Sequence, residues 1–302
     1  TNKTQFISLE NSYHGETLGA LSVTDVALFR DAYGALIRQQ DAVPSPDWRK
    51  TAAGESAEAY ALRCAAALEQ HLQHHHAQLA AFIVEPLVQG AAGMAMYHPV
   101  YLRRARQLCD EYGVHLIADE IAVGMGRTGT LFACEQANIT PDFLLLSKGI
   151  TGGYLPLSVV MTTDEIYQAF YADETARGFL HSHSYTGNPL ACRAALATLD
   201  IFAQDNVLAE NRNKAAYLNN IASPLRNHRA VRNWRNTGMI WAFEADSPHR
   251  DFAQRCFTLA LQNELLLRPI GNTIYFMPPY IICKEEMDLL IERTLKIVDQ
   301  LC

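Results

Sequence analysis

Two stretches decide the fold, Val114-His115-Leu116-Ile117-Ala118-Asp119-Glu120 and Phe143-Leu144-Leu145-Leu146-Ser147-Lys148-Gly149. Each is a short apolar run that ends in charge. Short apolar runs bounded by turn signals read as strands buried on both faces, the habit of parallel sheets in α/β proteins. Ligands of such sheets gather beyond the carboxyl ends of the strands. An aspartate ending one strand and a lysine ending another therefore face one crevice. Asp119 and Lys148 are 29 residues apart, which leaves room for a loop, a short helix and the second strand.

A carboxylate and an amine so placed suit pyridoxal phosphate. A lysine holds its aldehyde as a Schiff base, while an aspartate keeps the ring nitrogen protonated so that the ring draws electrons from a carbanion. The lysine also carries a proton once an incoming amine displaces it. Spacing alone leaves a structural ion pair at the sheet edge equally open.

Upstream, Gln5-Phe6-Ile7-Ser8-Leu9 reads as a strand, followed by a turn holding Tyr13-His14-Gly15, an exposed pair that is a candidate site. Pro44, Pro46 and Gly54 mark residues 31–55 as a long loop. Residues 56–76 read as a helix in which His71 and His75 have the i,i+4 spacing of metal ligands. Without acidic or cysteine partners nearby in the chain they read as a solvated helix end, and no metal is expected. The strand 80–84 ends in Glu85-Pro86, a second carboxylate at a strand end, placed to support the first. Pro99 opens a helix through Tyr112, and Gly113 ends it. Gly124-Met125-Gly126-Arg127-Thr128-Gly129 matches G-x-G-x-x-G, but Asp119 and Glu120 separate it from the strand and Arg127 sits inside it. It reads as a Gly-rich turn rather than a dinucleotide fingerprint.

Downstream, residues 158–161 form a strand, and Thr162 with Glu165 has the capping-box pattern. His181-Ser182-His183-Ser184-Tyr185-Thr186-Gly187 gathers small donors ahead of Asn188-Pro189, the N-cap and first position of a long helix and a start suited to phosphate. From about residue 205 the pattern becomes helix, strand near 240–244, helix 248–263, strands near 265–277 and an amphipathic helix 284–301. The expected division is a large domain, 1–204, and a smaller α+β domain, 205–302. Arg268, after three leucines and before Pro269, is expected in a partly buried place, paired with an internal acid or gripping a substrate carboxylate.

The 302 residues, 49% hydrophobic with net charge −7, are those of a soluble globular protein and argue against nucleic acid as partner. No run is long enough to span a membrane. Seven cysteines without a C-x-x-C pair read as reduced thiols of a cytoplasmic protein. A first residue of Thr1, with no signal-peptide pattern, reads as a start inside a longer protein.

Tyr13-His14-Gly15, Asp119-Glu120, the Gly124 to Gly129 turn, Ser147-Lys148-Gly149 and Gly187-Asn188-Pro189-Leu190-Ala191-Cys192 together resemble the class III pyridoxal-phosphate aminotransferases over nearly the whole chain. Within the class, Leu267-Arg268-Pro269-Ile270-Gly271 and Tyr275-Phe276-Met277-Pro278-Pro279-Tyr280 resemble the members of biotin biosynthesis. The resemblance implies a fold-type I α/β homodimer with shared active sites, lacking here the N-terminal part with its Gly-Ser phosphate loop. It implies amination of 8-amino-7-oxononanoate to 7,8-diaminononanoate. It makes Lys148 the Schiff-base lysine and Asp119 the partner of the ring nitrogen, and sets Tyr13 beside cofactor and substrate. His183 and Ser184 would reach the cofactor phosphate of the neighbouring subunit, with Ser182 near the substrate and Arg268 on its carboxylate. The members using S-adenosylmethionine usually carry Gly-Pro-Thr where this chain has Ser182-His183-Ser184, and His183-Ser184-Tyr185-Thr186-Gly187 looks nearer to lysine users; both donors stay open. The alternatives are an ω-aminotransferase of ornithine, 4-aminobutyrate or a diamine, a non-catalytic binding module, and a nicotinamide-dependent dehydrogenase.

Overall fold

A computed structural model describes residues 3–302. In chain order its first strands are β1 (Gln5–Leu9), β2 (Asp41–Val43), β3 (Leu79–Val84), the two-residue β4 (Val88–Gln89) and β5 (Ala95–Met96), β6 (His115–Asp119), β7 (Phe143–Leu146) and β8 (Val159–Thr162). Six of them make one sheet in the order β2-β1-β3-β6-β7-β8. All neighbours in it are parallel except β8, which runs antiparallel to β7. Five parallel strands, β2, β1, β3, β6 and β7, thus point their carboxyl ends at one edge, the arrangement that makes a ligand crevice. The expected long loop at 31–55 contains β2, which adds to the outer edge by pairing Ile7 to Asp41 through Leu9 to Val43. Its three residues are too short for a periodic signal to stand out between prolines.

Two short helices, α1 (Leu18–Ser22) and α2 (Ala27–Arg30), follow β1. Helix α3 (Ala57–His75) starts on Ser56, whose hydroxyl accepts from Ala59 N–H, and buries Tyr60, Ala61, Cys64, Ala65, Leu68 and Leu72 along one stripe. Helix α4 (Val100–Tyr112) ends at Gly113, which takes the left-handed conformation at φ +60°. The two helices cover a core built with Ile7, Leu9, Phe82, Val84, Tyr101, Leu102, Leu108 and Leu116. Full burial of each such side chain stabilises by about 1.5–3 kcal/mol. Helix α5 (Asp164–Phe170) is capped by Thr163, which accepts from Ile166 N–H, and not by Thr162, whose place is the end of β8. Helix α6 (Pro189–Gln204) begins as expected, with Asn188 Oδ1 accepting from Leu190 and Ala191 N–H.

The remaining chain forms α7 (Val207–Ile221), α8 (Ser223–Arg226), β9 (Val231–Thr237), β10 (Ile240–Ala245), α9 (Phe252–Gln262), β11 (Thr273–Phe276) and α10 (Lys284–Leu301). Strands β11-β10-β9 make an antiparallel sheet. Strand β9, Val-Arg-Asn-Trp-Arg-Asn-Thr, has too little apolar alternation to announce itself, and between 265 and 277 only β11 forms. Side chains alternate across a strand, and β10 uses both faces. Trp241, Phe243 and Ala245 enter the core under α9 and α10, whereas Ile240 and Ala242 join the core of the larger sheet. A charged seam also ties the two sheets. Arg235 on β9 donates to the carbonyls of Met94 and Gly93 and pairs with Glu244 at 2.8 Å, while Arg49 pairs with Glu244 at 2.8 Å and Asp47 at 2.7 Å.

Between Tyr154 and Ile201 the chain leaves many large apolar side chains exposed, among them Val160, Met161, Phe179, Leu180, Leu190 and Leu196. No helix among the described residues is long and apolar enough to cross a membrane. All seven cysteines are free.

Candidate active site

The register of the large sheet sets the site. Val84 pairs with Ala118 and Asp119 with Leu145, so Glu85, Asp119 and, three residues past Leu145, Lys148 lie at the same edge. The turn after β1 brings Tyr13 and His14 to that edge. Asp119 is buried, with its side chain 5% exposed; its Oδ2 lies 2.8 Å from His14 Nδ1 and its Oδ1 accepts from Ile121 N–H at 3.1 Å. The His14 ring is 1% exposed, and its Nε2 is buried without a hydrogen-bond partner. Glu85 accepts from Gly90 N–H at 3.0 Å and from Tyr13 N–H at 3.2 Å. Burial pushes its carboxyl up to about 7, against the opposing pull of His14 and of the two N–H donors. Tyr13 donates its hydroxyl to Glu16 at 3.0 Å and packs on Phe29. Its phenol is raised by burial first and by Glu16 second.

Lys148 follows β7 with its side chain exposed and its backbone at φ +43°. Gly149 allows a close approach, because a Cβ there would lie 3.0 Å from Met125 Cβ. The Gly124 to Gly129 segment opens no dinucleotide helix and instead docks on the β9–β10 turn. Arg127 donates to the Pro278 carbonyl at 2.8 Å and lies over the Tyr280 ring, while Met239 N–H bonds back to Arg127 O at 2.9 Å. Burial holds the Arg127 guanidinium below its usual value. Glu120, buried, anchors the end of the same loop by accepting from Ala133 and Cys134 N–H, each at 2.8 Å. Its carboxyl is raised by burial in spite of these donors.

The structure brings together Tyr13, Glu85 and Asp119 and adds His14, which the sequence shows only as half of a Tyr-His pair. Arg127 and Glu120 are further site supports that sequence reasoning passed over, since a charged residue in a Gly-rich loop and a second acid after Asp119 carry no periodic signal. Ser182, His183 and Ser184 lie exposed on the turn before α6, where His183 Nδ1 accepts from Tyr185 N–H at 3.2 Å. Arg268 is exposed and not in the partly buried place expected, because Leu267 takes the buried position beside it. The His71 and His75 rings lie 4.6 Å apart, tilted by 37°, and no described group of three or more His, Cys, Asp or Glu is arranged to hold a metal ion.

The family model described as Aminotransferase class-III matches residues 1–298. The chain belongs to the class III aminotransferases. This overturns the nicotinamide dehydrogenase as a reading of the chain. As a class III aminotransferase it is 46% identical to the adenosylmethionine-8-amino-7-oxononanoate aminotransferase of Helicobacter pylori, over 99% of this chain and 68% of that protein. The protein of the same name from Nitratidesulfovibrio vulgaris is 39% identical, over 96% of this chain and 55% of its own length. Two solved structures extend the likeness. The Methanocaldococcus jannaschii protein of that name superposes with a TM-score of 0.89 at 32% identity, over 100% of this chain and 69% of that one. An amine transaminase from an uncultivated Pseudomonas species, in its PLP-bound form, gives 0.92 at 29% identity, over 100% and 70%. The class III chain thus spans roughly half to two thirds of its relatives' length.

Proposed function

We propose that this chain serves pyridoxal-phosphate-dependent amino transfer from a small amine donor to a keto acid, with 8-amino-7-oxononanoate as the acceptor and 7,8-diaminononanoate as the product, a step of biotin biosynthesis. The observation that carries the reading is the placement of buried Asp119 and exposed Lys148 at the carboxyl ends of adjacent parallel strands. The acceptor follows from the shared name of the similar proteins. That name points to S-adenosylmethionine as donor, while the likeness of His183-Ser184-Tyr185-Thr186-Gly187 to lysine users favours lysine.

The donor set fits the cofactor. An ionised carboxylate offers about four acceptor sites, and His14 and Ile121 occupy two of those on Asp119. Asp119 would receive the protonated ring nitrogen, Lys148 would hold the aldehyde carbon, and Tyr13 would line the ring. His183 and Ser184 would reach the cofactor phosphate of the neighbouring subunit. Bound there, the cofactor supplies a ring that withdraws electrons from the carbon bearing the amine. Lys148 Nζ, once freed by the incoming amine, would move the proton between the substrate carbon and the cofactor. Arg268 and Ser182 bind the substrate, the guanidinium gripping its carboxylate. Glu85 supports the site from behind.

The same reading carries a homodimer with shared sites, supported by the large apolar side chains left exposed between Tyr154 and Ile201, which a second copy would cover. It also carries a cytoplasmic location, supported by seven free cysteines, and the division into domains 1–204 and 205–302. Borohydride reduction of the chain with pyridoxal phosphate, followed by peptide mapping, should find the adduct on Lys148. Lys148→Ala should abolish turnover, since a positioned acid-base group alone is worth about 10²–10⁴-fold. Normal turnover in that variant sinks the mechanism. A panel of 8-amino-7-oxononanoate, ornithine, 4-aminobutyrate and a diamine, each with both donors, tests the substrate.

A further inference from the structure

We propose that Tyr280 is a positioning residue of the amino transfer, acting on Lys148 through Met125 and Gly149. The inference rests on the functional reading above, in which Lys148 holds the cofactor, and deepens it. Lys148 opens a short turn, Lys148–Thr151, which is held from one side because Ile150 packs with Leu146 and with Ala195 of α6. Its other side meets the Gly-rich loop. A Cβ built on Gly149 would stand 3.0 Å from Met125 Cβ, tighter than ordinary packing, so Met125 sets how far the turn can shift toward that loop. The backbone that carries the lysine therefore starts from a place that Met125 defines.

Met125 does not hold that place unaided. It is buried and left-handed at φ +52°, a conformation disfavoured for an L residue, so surrounding contacts must keep it there. The Tyr280 hydroxyl donates to the Met125 carbonyl at 2.8 Å, across 155 residues of sequence. Tyr280 is itself clamped. Arg127 lies 4.5 Å from its ring centroid, Phe202 meets it edge-on, and Lys214 of α7 donates to its carbonyl. The residue after Met125 has no more room, since a Cβ on Gly126 would lie 3.0 Å from Leu208 and 3.1 Å from Phe202. The C-terminal part of the chain thus reaches Lys148 through one hydroxyl, one carbonyl and one van der Waals contact.

The test compares wild type, Tyr280→Phe, Gly149→Ala, Met125→Gly and the two double variants that contain Met125→Gly. Pyridoxal phosphate is titrated into each full chain, the adduct on Lys148 is trapped with borohydride and quantified by peptide mapping, and melting curves confirm folding. Tyr280→Phe removes the hydroxyl and keeps the ring under Arg127. It should raise the pyridoxal phosphate concentration for half-labelling about 2- to 10-fold, the range of one lost hydrogen bond, and lower kcat at saturating cofactor while the acceptor KM stays unchanged. Gly149→Ala should raise that concentration about 5- to 100-fold, the range of a forced core contact. Met125→Gly removes the Cβ and suits the left-handed backbone. In that background Tyr280→Phe should add nothing and Gly149→Ala should lose most of its effect, because residues that act through a shared neighbour are not additive. A merely structural tyrosine would lower the melting midpoint alike in both backgrounds and leave labelling unaltered. Wild-type labelling in Tyr280→Phe, or losses that are the same with and without Met125, overturns the inference and leaves the functional reading standing. Should Gly149→Ala fail to fold, Tyr280→Phe in the two backgrounds decides. A wild-type chain that acquires no adduct on Lys148 overturns the functional reading and this inference with it.

Discussion

Gly238→Ala should damage this protein far more than a glycine in a turn ordinarily would. The residue joins β9 to β10 at φ +56°, and a Cβ added there would lie 2.3 Å from the Thr128 carbonyl carbon, 2.5 Å from Gly129 N and 2.6 Å from Arg127 O. All three are backbone atoms, so no side chain can swing aside. Left-handed backbone costs an L residue about 1–2 kcal/mol, and forcing packed atoms apart costs about 1–3 kcal/mol more. Gly113→Ala is the control, because Gly113 has nearly the same φ, +60°, with nothing within 4 Å of its added Cβ. It should lose the first of the two contributions alone. At about 2–4 °C per kcal/mol, the melting midpoint should fall by roughly 4–20 °C for Gly238→Ala and by roughly 2–8 °C for Gly113→Ala. Thermal melts of both variants and wild type at one scan rate measure the difference. Since the displaced loop carries Arg127, kcat/KM should fall in the first variant and not in the second. Melting of Gly238→Ala within a degree or two of Gly113→Ala, the scale of about half a kcal/mol, would refute the argument that this turn is locked by contact.

Arg268→Ala should raise KM for the carboxylate-bearing acceptor by the equivalent of about 1.5–3 kcal/mol with a smaller effect on kcat; an unchanged KM removes Arg268 from that role. Glu85 gives the protein a pH signature of defined sign. Its carboxyl stands near 7 when folded against 4.5 ordinarily, so the folded chain keeps a proton that the unfolded chain gives up. The associated stability is fully present below about pH 4.5 and is lost as pH rises to about 7, a loss of at most about 3 kcal/mol. Melting midpoints of wild type and Glu85→Gln over that window should diverge in slope; parallel curves would contradict the buried carboxyl.

Much of this was legible in the chain, and the reason is chemical. Strands β3, β6 and β7 announce themselves as short apolar runs, and each run stops at the carboxyl edge of the sheet, where Glu85, Asp119 and Lys148 stand. Asn188-Pro189 and Gly113 mark helix ends through local backbone chemistry that acts the same in any fold. The hidden parts depend on partners far away in sequence. β2 is three residues of edge strand, β9 has five polar residues among its seven, and Arg127 finds its neighbours on a turn more than a hundred residues later. His14 could be seen only as a neighbour of Tyr13 until Asp119 came within hydrogen-bond reach. Arg268 was misplaced because three preceding leucines read as a buried run, whereas in coil the chain turns one neighbour inward and the next outward.

Lys148 holds left-handed backbone at φ +43°, a conformation glycine adopts freely. The strain, of order 1–2 kcal/mol, belongs to the main chain and not to the amine, so almost any L residue at the position inherits it. A glycine there would give a sturdier protein without the proposed catalytic amine. In a population screened for heat tolerance alone, sequences should drift away from lysine at this position, and only a demand for turnover would bring it back.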